Sequence, residues 1–339
     1  MNAASKPFDG EHKYIRITDI DENTSAYKED GVVSPDADID EHYRVKENDI
    51  LFARTGASTG KTYLYDPKDG RLYYAGFLIR MNVSPQNDSR FVFYQTQTQR
   101  YKKWVQIMSM RSGQPGINSQ EYSSFHFFLP KRKEQERIAE LLSLFDQRVG
   151  IQNKVIEKYE SLIKALAHEI IGKNAPNTML SECVCCTSST LKESDLSDAG
   201  AVPAYGAAGI SGFTDNALSA GDSLLITKDG SGVGSLRYVS GPHSFVGTLY
   251  SMTPRDGFYL PYIYYALQNV SFEIYRTGQA IPHIYFKDYG RELIYLPSYA
   301  NQKRVACGLE RIDNMVDNER RILQSLQTAK AYFLVSLFI

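Results

Sequence analysis

The sequence predicts an α+β chain in which two mixed α/β domains alternate with two long helices that pair with each other. Three observations predict it. First, the stretch from Gln135 to Gly172 places apolar residues at Ile138, Leu142, Phe145, Val149, Ile156, Tyr159, Ile163, Leu166 and Ile170, with Gln152 filling one polar slot. Steps alternating four and three make a heptad seam, and a seam needs a partner helix. Second, the partner lies in the same chain: Gln302, Arg304, Val305, Ala306, Leu309, Ile312, Asp313 and Val316 repeat Gln135, Arg137, Ile138, Ala139, Leu142, Phe145, Asp146 and Val149 at an offset of 167 residues without a gap. The match continues with Leu323 under Ile156 and Leu326 under Tyr159, and Lys330 interrupts the second seam where Ile163 stands. Third, Leu129-Pro130 and Leu296-Pro297 precede the two copies at the same distance. The residues expected to pair the helices are Ile138, Leu142, Phe145, Val149 and Ile156 with Val305, Leu309, Ile312, Val316 and Leu323.

A period this long is no solenoid unit; it is a duplicated domain followed by a duplicated helix. The 339 residues suffice for two cores. The expected divisions are 1–130, helix 131–173, second domain 174–297 and helix 298–339. The formal net charge of −1 demands no nucleic-acid partner, so DNA binding would have to rest on local patches or on partners. Met1 to Lys13 has no apolar core and no apolar run reaches membrane length, so neither a signal peptide nor a membrane span is expected. Cys183, Cys185 and Cys186 cluster without a second metal-binding pair, and Cys307 stands alone, so no metal site and reduced thiols in a strand are expected.

In chain order, Tyr14 to Ile20 alternates as a strand, and Asp19 to Asp40 is an acidic loop. Ile50 to Ala53 is a short buried strand, Arg54 to Lys61 a loop, Thr62 to Tyr65 a strand and Leu72 to Val83 more strand. Phe91 to Ile107 reads as one helix, Arg111 to Asn118 as a loop, and Ser124 to Leu129 as a strand leading to the long helix. The second half repeats these features. Thr227 to Gly234 answers the first glycine loop, Pro261 to Leu267 answers Phe91 onward, and Arg276 to His283 answers Arg111 to Asn118. Between Leu180 and Ala201 the second domain has a stretch of strand and loop; in the first, this opening element is missing or replaced.

Gly56 to Thr62 invites comparison with a phosphate-binding loop and fails it. Thr55 stands where glycine is required, the following residues are strand-like, and the duplicate lacks Gly-Lys-Thr. Both glycine loops read better as recognition surfaces, with Arg54, Lys61 and Lys228 as donors, or as plain hairpins with solvated cations. Arg111, Gln114, Arg276, Gln279 and His283 on the second pair of loops supply side chains that pair with base edges, or shape a turn. The run Gln97 to Trp104 suits a backbone groove or a solvated helix face equally. No catalytic constellation is present: the six histidines are scattered and the acidic pairs lie in a loop.

Leu129-Pro130 with Gln135-Glu-Arg-Ile-Ala and Asp146, repeated as Leu296-Pro297 with Gln302-Lys-Arg-Val-Ala and Asp313, resembles the specificity subunit of type I restriction–modification systems. Asp49-Ile-Leu-Phe and Gly113-Gln-Pro-Gly-Ile-Asn, with their duplicates, add to the likeness, which covers nearly the whole chain. The resemblance implies that each globular part is a target recognition domain for one half of a split, asymmetric double-stranded DNA site. It implies an antiparallel coiled coil of the two helices as the spacer, docked by two methyltransferase subunits, with Arg148 and Lys154 on the outward faces, and joined by restriction subunits. The subunit itself would be non-catalytic, cytoplasmic and free of cofactors; S-adenosylmethionine, ATP and Mg would belong to its partners. A helix of roughly 35 residues spans about 50 Å at 1.5 Å each, against about 34 Å per turn of duplex. Two rivals stand beside this reading: an adaptor of the same shape that binds no DNA, and a nucleotide hydrolase at Gly60-Lys61-Thr62.

Overall fold

A computed structural model describes residues 1–22, 24–110, 114–278 and 281–338. It resolves into two compact units, each discontinuous in sequence. Unit 1 is Met1–Asn153 with Arg321–Ile339; unit 2 is Lys154–Arg320. The long helices are Arg132–Ala167, ending in a π-turn at His168–Gly172, and Tyr299–Ser336. Each contributes a stretch to both units.

Unit 1 is built around the strand Asp49–Ala53, which lies antiparallel between Thr62–Leu64 and Leu78–Asn82. All five of its residues are buried. Alternation sends Ile50 and Phe52 to one core and Leu51 and Ala53 to another. The first core gathers Phe91, Val92, Tyr101 and Val105 with Ala139 and Leu142 of the first long helix, and Phe333 and Leu334 of the second, with Phe338 just past its end, pack on it. Two lesser strand pairs complete the unit: Lys13–Ile15 with Leu72–Tyr74, parallel, and Ala4–Pro7 with Val33–Asp36, antiparallel. In unit 2 the strand Ser223–Thr227 plays the same part, fully buried between Leu236–Val239 and Leu249–Pro254. The stretch between Leu180 and Ala201 adds a fourth strand, Val184–Ser188, beside Leu249–Pro254. A mixed sheet of Gly209–Thr214, Val202–Gly206 and Ser244–Phe245 lies alongside.

Several local expectations need correction. The strand from Tyr14 stops at Ile15, because Asp19 accepts hydrogen bonds from the Arg16 backbone N–H (2.8 Å) and Nε (2.9 Å) and closes a 3-10 turn. Leu72 to Val83 is two strands in different sheets, separated by a turn in which Leu78 N–H donates to the Ala75 carbonyl. The expected helix from Phe91 to Ile107 is two, Ser89–Gln95 and Gln99–Met108. The Thr96 and Thr98 hydroxyls bond back to the Phe93 and Gln95 carbonyls, and Thr98 caps the next helix, so the chain breaks there. Ser124 to Leu129 forms no strand; its alternation turns Phe125 and Phe127 onto the helices without a strand neighbour.

The seam is covered throughout. Leu142, Val149, Ile156, Leu309 and Val316 are buried, and Ile138, Phe145, Val305, Ile312 and Leu323 are half-buried. The helices run antiparallel: in unit 1 Phe145 meets Phe333 and Asp146 meets Lys330, and in unit 2 Glu160 meets Arg320. A second line on each helix, Gln135, Ala139, Leu142 and Asp146, repeated as Gln302, Ala306, Leu309 and Asp313, receives a short helix of its own unit. Gln135 Oε1 accepts the N–H of Asp88, the cap of Ser89–Gln95, at 2.9 Å, while its Nε2 donates to the Pro130 carbonyl (2.8 Å) and to Asn87 Oδ1 (3.0 Å). Tyr94 Oη then donates to Asp146 Oδ2 at 2.7 Å. Unit 2 repeats this. Gln302 Oε1 accepts the N–H of Tyr259, the cap of Leu260–Leu267, at 2.9 Å, its Nε2 donates to the Pro297 carbonyl (3.0 Å), and Tyr265 Oη donates to Asp313. Ala139 and Ala306, both with no exposed surface, leave room for the short helix.

The glycine loops are one structure built twice. In unit 1 Gly60 N–H donates to the Ala53 carbonyl at 3.0 Å; in unit 2 Gly234 N–H donates to Thr227 at 2.9 Å. Gly60 (φ +90°) and Gly234 (φ +86°) occupy left-handed backbone, and a Cβ at either would meet Val105 at 2.5 Å or Phe272 at 2.8 Å. Glycine is therefore required here by packing.

Two substitutions test this framework by urea unfolding of the full chain. Gln135→Leu strands a buried N–H and a carbonyl, so it costs about 1–3 kcal/mol, whereas Arg148→Ala, exposed on the same helix, stays within about 0.5 kcal/mol. Gly60→Ala combines strain with a clash and destabilises by about 1–3 kcal/mol.

Candidate nucleic-acid interface

In each unit the glycine loop is stitched to the second repeated loop. In unit 1 Gly56 N–H donates to the Pro115 carbonyl and Ile117 N–H to the Arg54 carbonyl, both at 2.9 Å, bridging Thr55 to Gly116. In unit 2 Gly230 N–H donates to Pro282 and Ile284 N–H to Lys228, again at 2.9 Å, bridging Asp229 to His283. Ile117 and Ile284 are the buried anchors. Arg54 and Lys228 thus stand at the same place in the two units, a cation at the mouth of each loop pair. This register also corrects the alignment of the loops. Pro282-His283-Ile284 corresponds to Pro115-Gly116-Ile117, so the second loop is two residues longer, and His283 occupies the position of Gly116 rather than that of Asn118.

The side chains fall into distinct settings. Arg54 and Gln114 are exposed, and Gln114 Nε2 lies over Gly56, 3.3 Å from where a Cβ there would stand. Lys61 is occupied otherwise. Its Nζ pairs with Glu22 Oε1 of the acidic loop at 2.6 Å, which holds the Glu22 carboxyl below its usual range. In unit 2 Lys228 is half-buried with its Nζ 4.7 Å from the Tyr250 ring centroid. His283 exchanges backbone hydrogen bonds with Thr277, both 2.9 Å, and its ring lies 5.0 Å from that of Tyr285. Lys287 Nζ lies 5.1 Å from the same Tyr285 ring. Arg276 is exposed and paired with Glu273 at 2.8 Å. Arg111 and Gln279 lie outside the described residues.

So the loops bring together Arg54 and Gln114 in unit 1, and Lys228 and His283 in unit 2. Sequence reasoning missed Tyr285 and Lys287, which continue the second loop from His283, and Tyr250, on which Lys228 rests. Their only signal was position: Tyr285 follows the anchor Ile284 as Asn118 follows Ile117.

Other chemistries find little support in the geometry. Lys61 is followed by the strand Thr62–Leu64 and not by a helix, so no helix N-terminus faces the glycine loop. Cys185 and Cys186 are neighbours on a strand and point to opposite faces. Burial pushes the Cys183 and Cys186 thiols up to about 12. Among the described residues no three of His, Cys, Asp and Glu are arranged to hold a metal ion, and no helix is long and apolar enough to cross a membrane.

The chain matches the family model described as the type I restriction modification DNA specificity domain over residues 1–161 and 184–328. It is 26% identical over 152 residues to the type I restriction enzyme MjaVIII specificity subunit of Methanocaldococcus jannaschii, covering 44% of this chain and 34% of that one. It is also 26% identical over 135 residues to the putative MjaX specificity subunit of the same organism, covering 39% and 32%. These matches span about a third of the length of either relative. In fold it is similar to the S subunit of a type I restriction–modification system from M. genitalium, with a TM-score of 0.65 at 20% identity over 99% of this chain and 90% of that one. A chain from a study of type I complex assembly and conformational transition aligns with a TM-score of 0.54 at 17% identity, over 96% and 90%. With both of its halves matched in this way, and with the glutamine, aspartate and glycine framework standing twice in its fold, the chain belongs to the family of type I restriction–modification DNA specificity domains.

Proposed function

We propose that this chain is the non-catalytic sequence-reading subunit of a type I restriction–modification complex. Each unit reads one half of a split DNA site through its joined loops, and the paired long helices are the spacer and the platform for partners. The observation that carries this reading is the recurrence of one hydrogen-bonded loop pair in two units with different side chains at its mouth. A shared frame serves a shared task, and differing side chains serve two different targets. Arg54 and Gln114 are suited to guanine and adenine edges, and Lys228, His283 and Lys287 to phosphate or base edges. Arg111, Arg276 and Gln279 belong to the same loops. Lys61 enters the interface only if it exchanges Glu22 for phosphate.

The partners in this reading are double-stranded DNA, two methyltransferase subunits and the restriction subunits. S-adenosylmethionine, ATP and Mg are bound by those subunits, and the complex works in the cytoplasm. The four-way division 1–130, 131–173, 174–297 and 298–339 remains our description of the sequence modules, superimposed on the two discontinuous units. The near-neutral charge agrees with partners that supply part of the phosphate contact.

Fluorescence anisotropy of the assembled complex on a bipartite duplex, compared with scrambled duplex across a salt series, tests the proposal. Specific, steeply salt-dependent binding is expected; equal affinity for both duplexes refutes it. Arg54→Ala is expected to lose about 1–3 kcal/mol and to relax base preference in one half-site only, which methylome sequencing of a host carrying the variant will read. Lys228→Ala is expected to weaken binding on all sequences and to lower the slope of log affinity against log salt by about one.

A further inference from the structure

The two units differ at one edge of their central sheets. In unit 2 one continuous segment, residues 177–188, closes that edge. Its strand Val184–Ser188 pairs with Leu249–Pro254 and sets Cys186 opposite Met252. Its other end lies against the stretch that leads into the second long helix. There Asn177 N–H donates to the Ile294 carbonyl at 3.1 Å, Leu180 N–H to Glu292 at 2.9 Å and Ser181 N–H to Gly290 at 2.8 Å. Leu180, Cys183 and Val184 have no exposed surface, and neither has Met252.

In unit 1 the counterparts of these contacts are uncovered. Ala53 and Thr227 hold the same place in the two frames, so strand pairing sets Ile79, Arg80 and Met81 against Tyr250, Ser251 and Met252. Counting from the anchors Ile117 and Ile284 sets Ser123, Phe125 and Phe127 against Gly290, Glu292 and Ile294. Among the described residues Leu78–Asn82 has a strand on one side only. Met81 is 37% exposed where Met252 is fully buried. Among the described residues no hydrogen bond reaches the Ser123, Phe125 or Phe127 carbonyl. All six counterparts line one cavity of about 300 Å³, together with Phe52, Val92, Tyr101 and Tyr122.

We propose that this edge and cavity of unit 1 take a β-strand donated by a separate polypeptide, an extended segment with the side-chain pattern of residues 177–188. Backbone pairing supplies the affinity of such a contact, and the cavity selects the side chains. The chain itself shows what fits, because unit 2 seats such a segment on the same frame and keeps it there. A small apolar ligand could fill the cavity, but it would leave the sheet edge and the three carbonyls unpaired. The Phe77 carbonyl and the Val83 N–H face the central-strand side, toward Arg54 and Asn48. Alternation therefore turns the N–H and C=O groups of Arg80 and Asn82 outward, toward an incoming strand. The donated segment carries a leucine at the place of Leu180 and small apolar residues at the places of Cys183 and Val184. The proposal is independent of what the loops of unit 1 bind.

The probe is a fluorescein-labelled synthetic peptide of residues 174–190 of this chain, titrated by fluorescence anisotropy into the full-length chain under reducing conditions. Saturable binding is expected. It is expected to weaken about tenfold or more with Leu180→Asp in the peptide, or with Met81→Glu in the chain, since either places a carboxylate in the apolar cavity. On saturation, hydrogen exchange of the Arg80 and Asn82 amides is expected to slow by about tenfold or more. No saturable binding, equal binding of the Leu180→Asp peptide, or unchanged exchange at Arg80 and Asn82 overturns the edge as a strand acceptor. For the source of the strand, benzoylphenylalanine in place of Met81 is photolysed in cells of the host, and the joined peptide is sequenced by mass spectrometry. An extended segment of another protein is expected, and its cross-link is lost when excess 174–190 peptide is added to the isolated complex before photolysis. Cross-links confined to this chain or a second copy of it, cross-links that persist with excess peptide, or none at all overturn the donated strand.

Discussion

A single buried amide on each long helix carries the arrangement on which the rest depends. Gln135 and Gln302 each hold the carbonyl of the proline that leads into their own helix and the N–H of the residue that caps the short helix docking there. Apolar burial around them supplies most of the attraction but no direction. The amide supplies direction, because its donor and acceptor must both be met in a dry site. Eleven residues on, Asp146 and Asp313 catch the tyrosine of the same short helix and fix its far end. Two polar contacts therefore set the pitch and the register of each globular unit on its helix. Every loop of that unit inherits its placement from them.

This division of labour explains why the two halves diverge where they do. A change at the glutamine, the alanine or the aspartate strands a buried polar group or overfills a contact. The same applies to Gly60 and Gly234, whose backbone and packing leave no room for a side chain. A change at Arg54, Gln114 or Lys228 alters only what the loop pair presents. The frame is held by desolvation and the residues at the loop mouths are not, so the two copies differ at the mouths while the fold stays put.

Much of the frame was legible. The repeat at 167 residues exposed both long helices, and glutamine, alanine, leucine and aspartate recur at positions that share one helix face. The strands Asp49–Ala53 and Ser223–Thr227 followed from short apolar runs next to glycine loops. What escaped has physical reasons. Alternation at Ser124 to Leu129 reported an extended chain, but pairing needs a neighbouring strand that alternation cannot reveal. The two extra residues in the loop from Arg276 emerge only from the hydrogen bonds of Ile117 and Ile284. Val33–Asp36 hides in an acidic loop because its pairing with Ala4–Pro7 is nearly all backbone. The Lys61–Glu22 pair joins residues 39 apart with no pattern linking them, and Lys330 looked like a flaw in the seam until Asp146 was seen to receive it.

The near-neutral net charge is the feature that argues most directly against a DNA-reading role, and the placement of the charges answers it. The loop from Asp19 to Asp40 and the long helix around Glu310, Asp313 and Asp317 are two acidic stretches, while near the loops Glu22 pairs with Lys61 and Asp229 follows Lys228. The cations at the paired loops are arranged differently. Arg54 is exposed, Lys228 rests on a tyrosine face, and Lys287 shares Tyr285 with His283. A ring under a cation orients it without cancelling its charge, whereas an ion pair does both. At about 8 Å of screening length in physiological salt, a phosphate responds chiefly to the charges beside it. Global balance is thus a poor guide to the potential at a loop mouth. The sign that matters there is set by the cations at the loop mouth, and among the described residues Arg54 and Lys228 stand at the two mouths without a carboxylate in ion-pair contact.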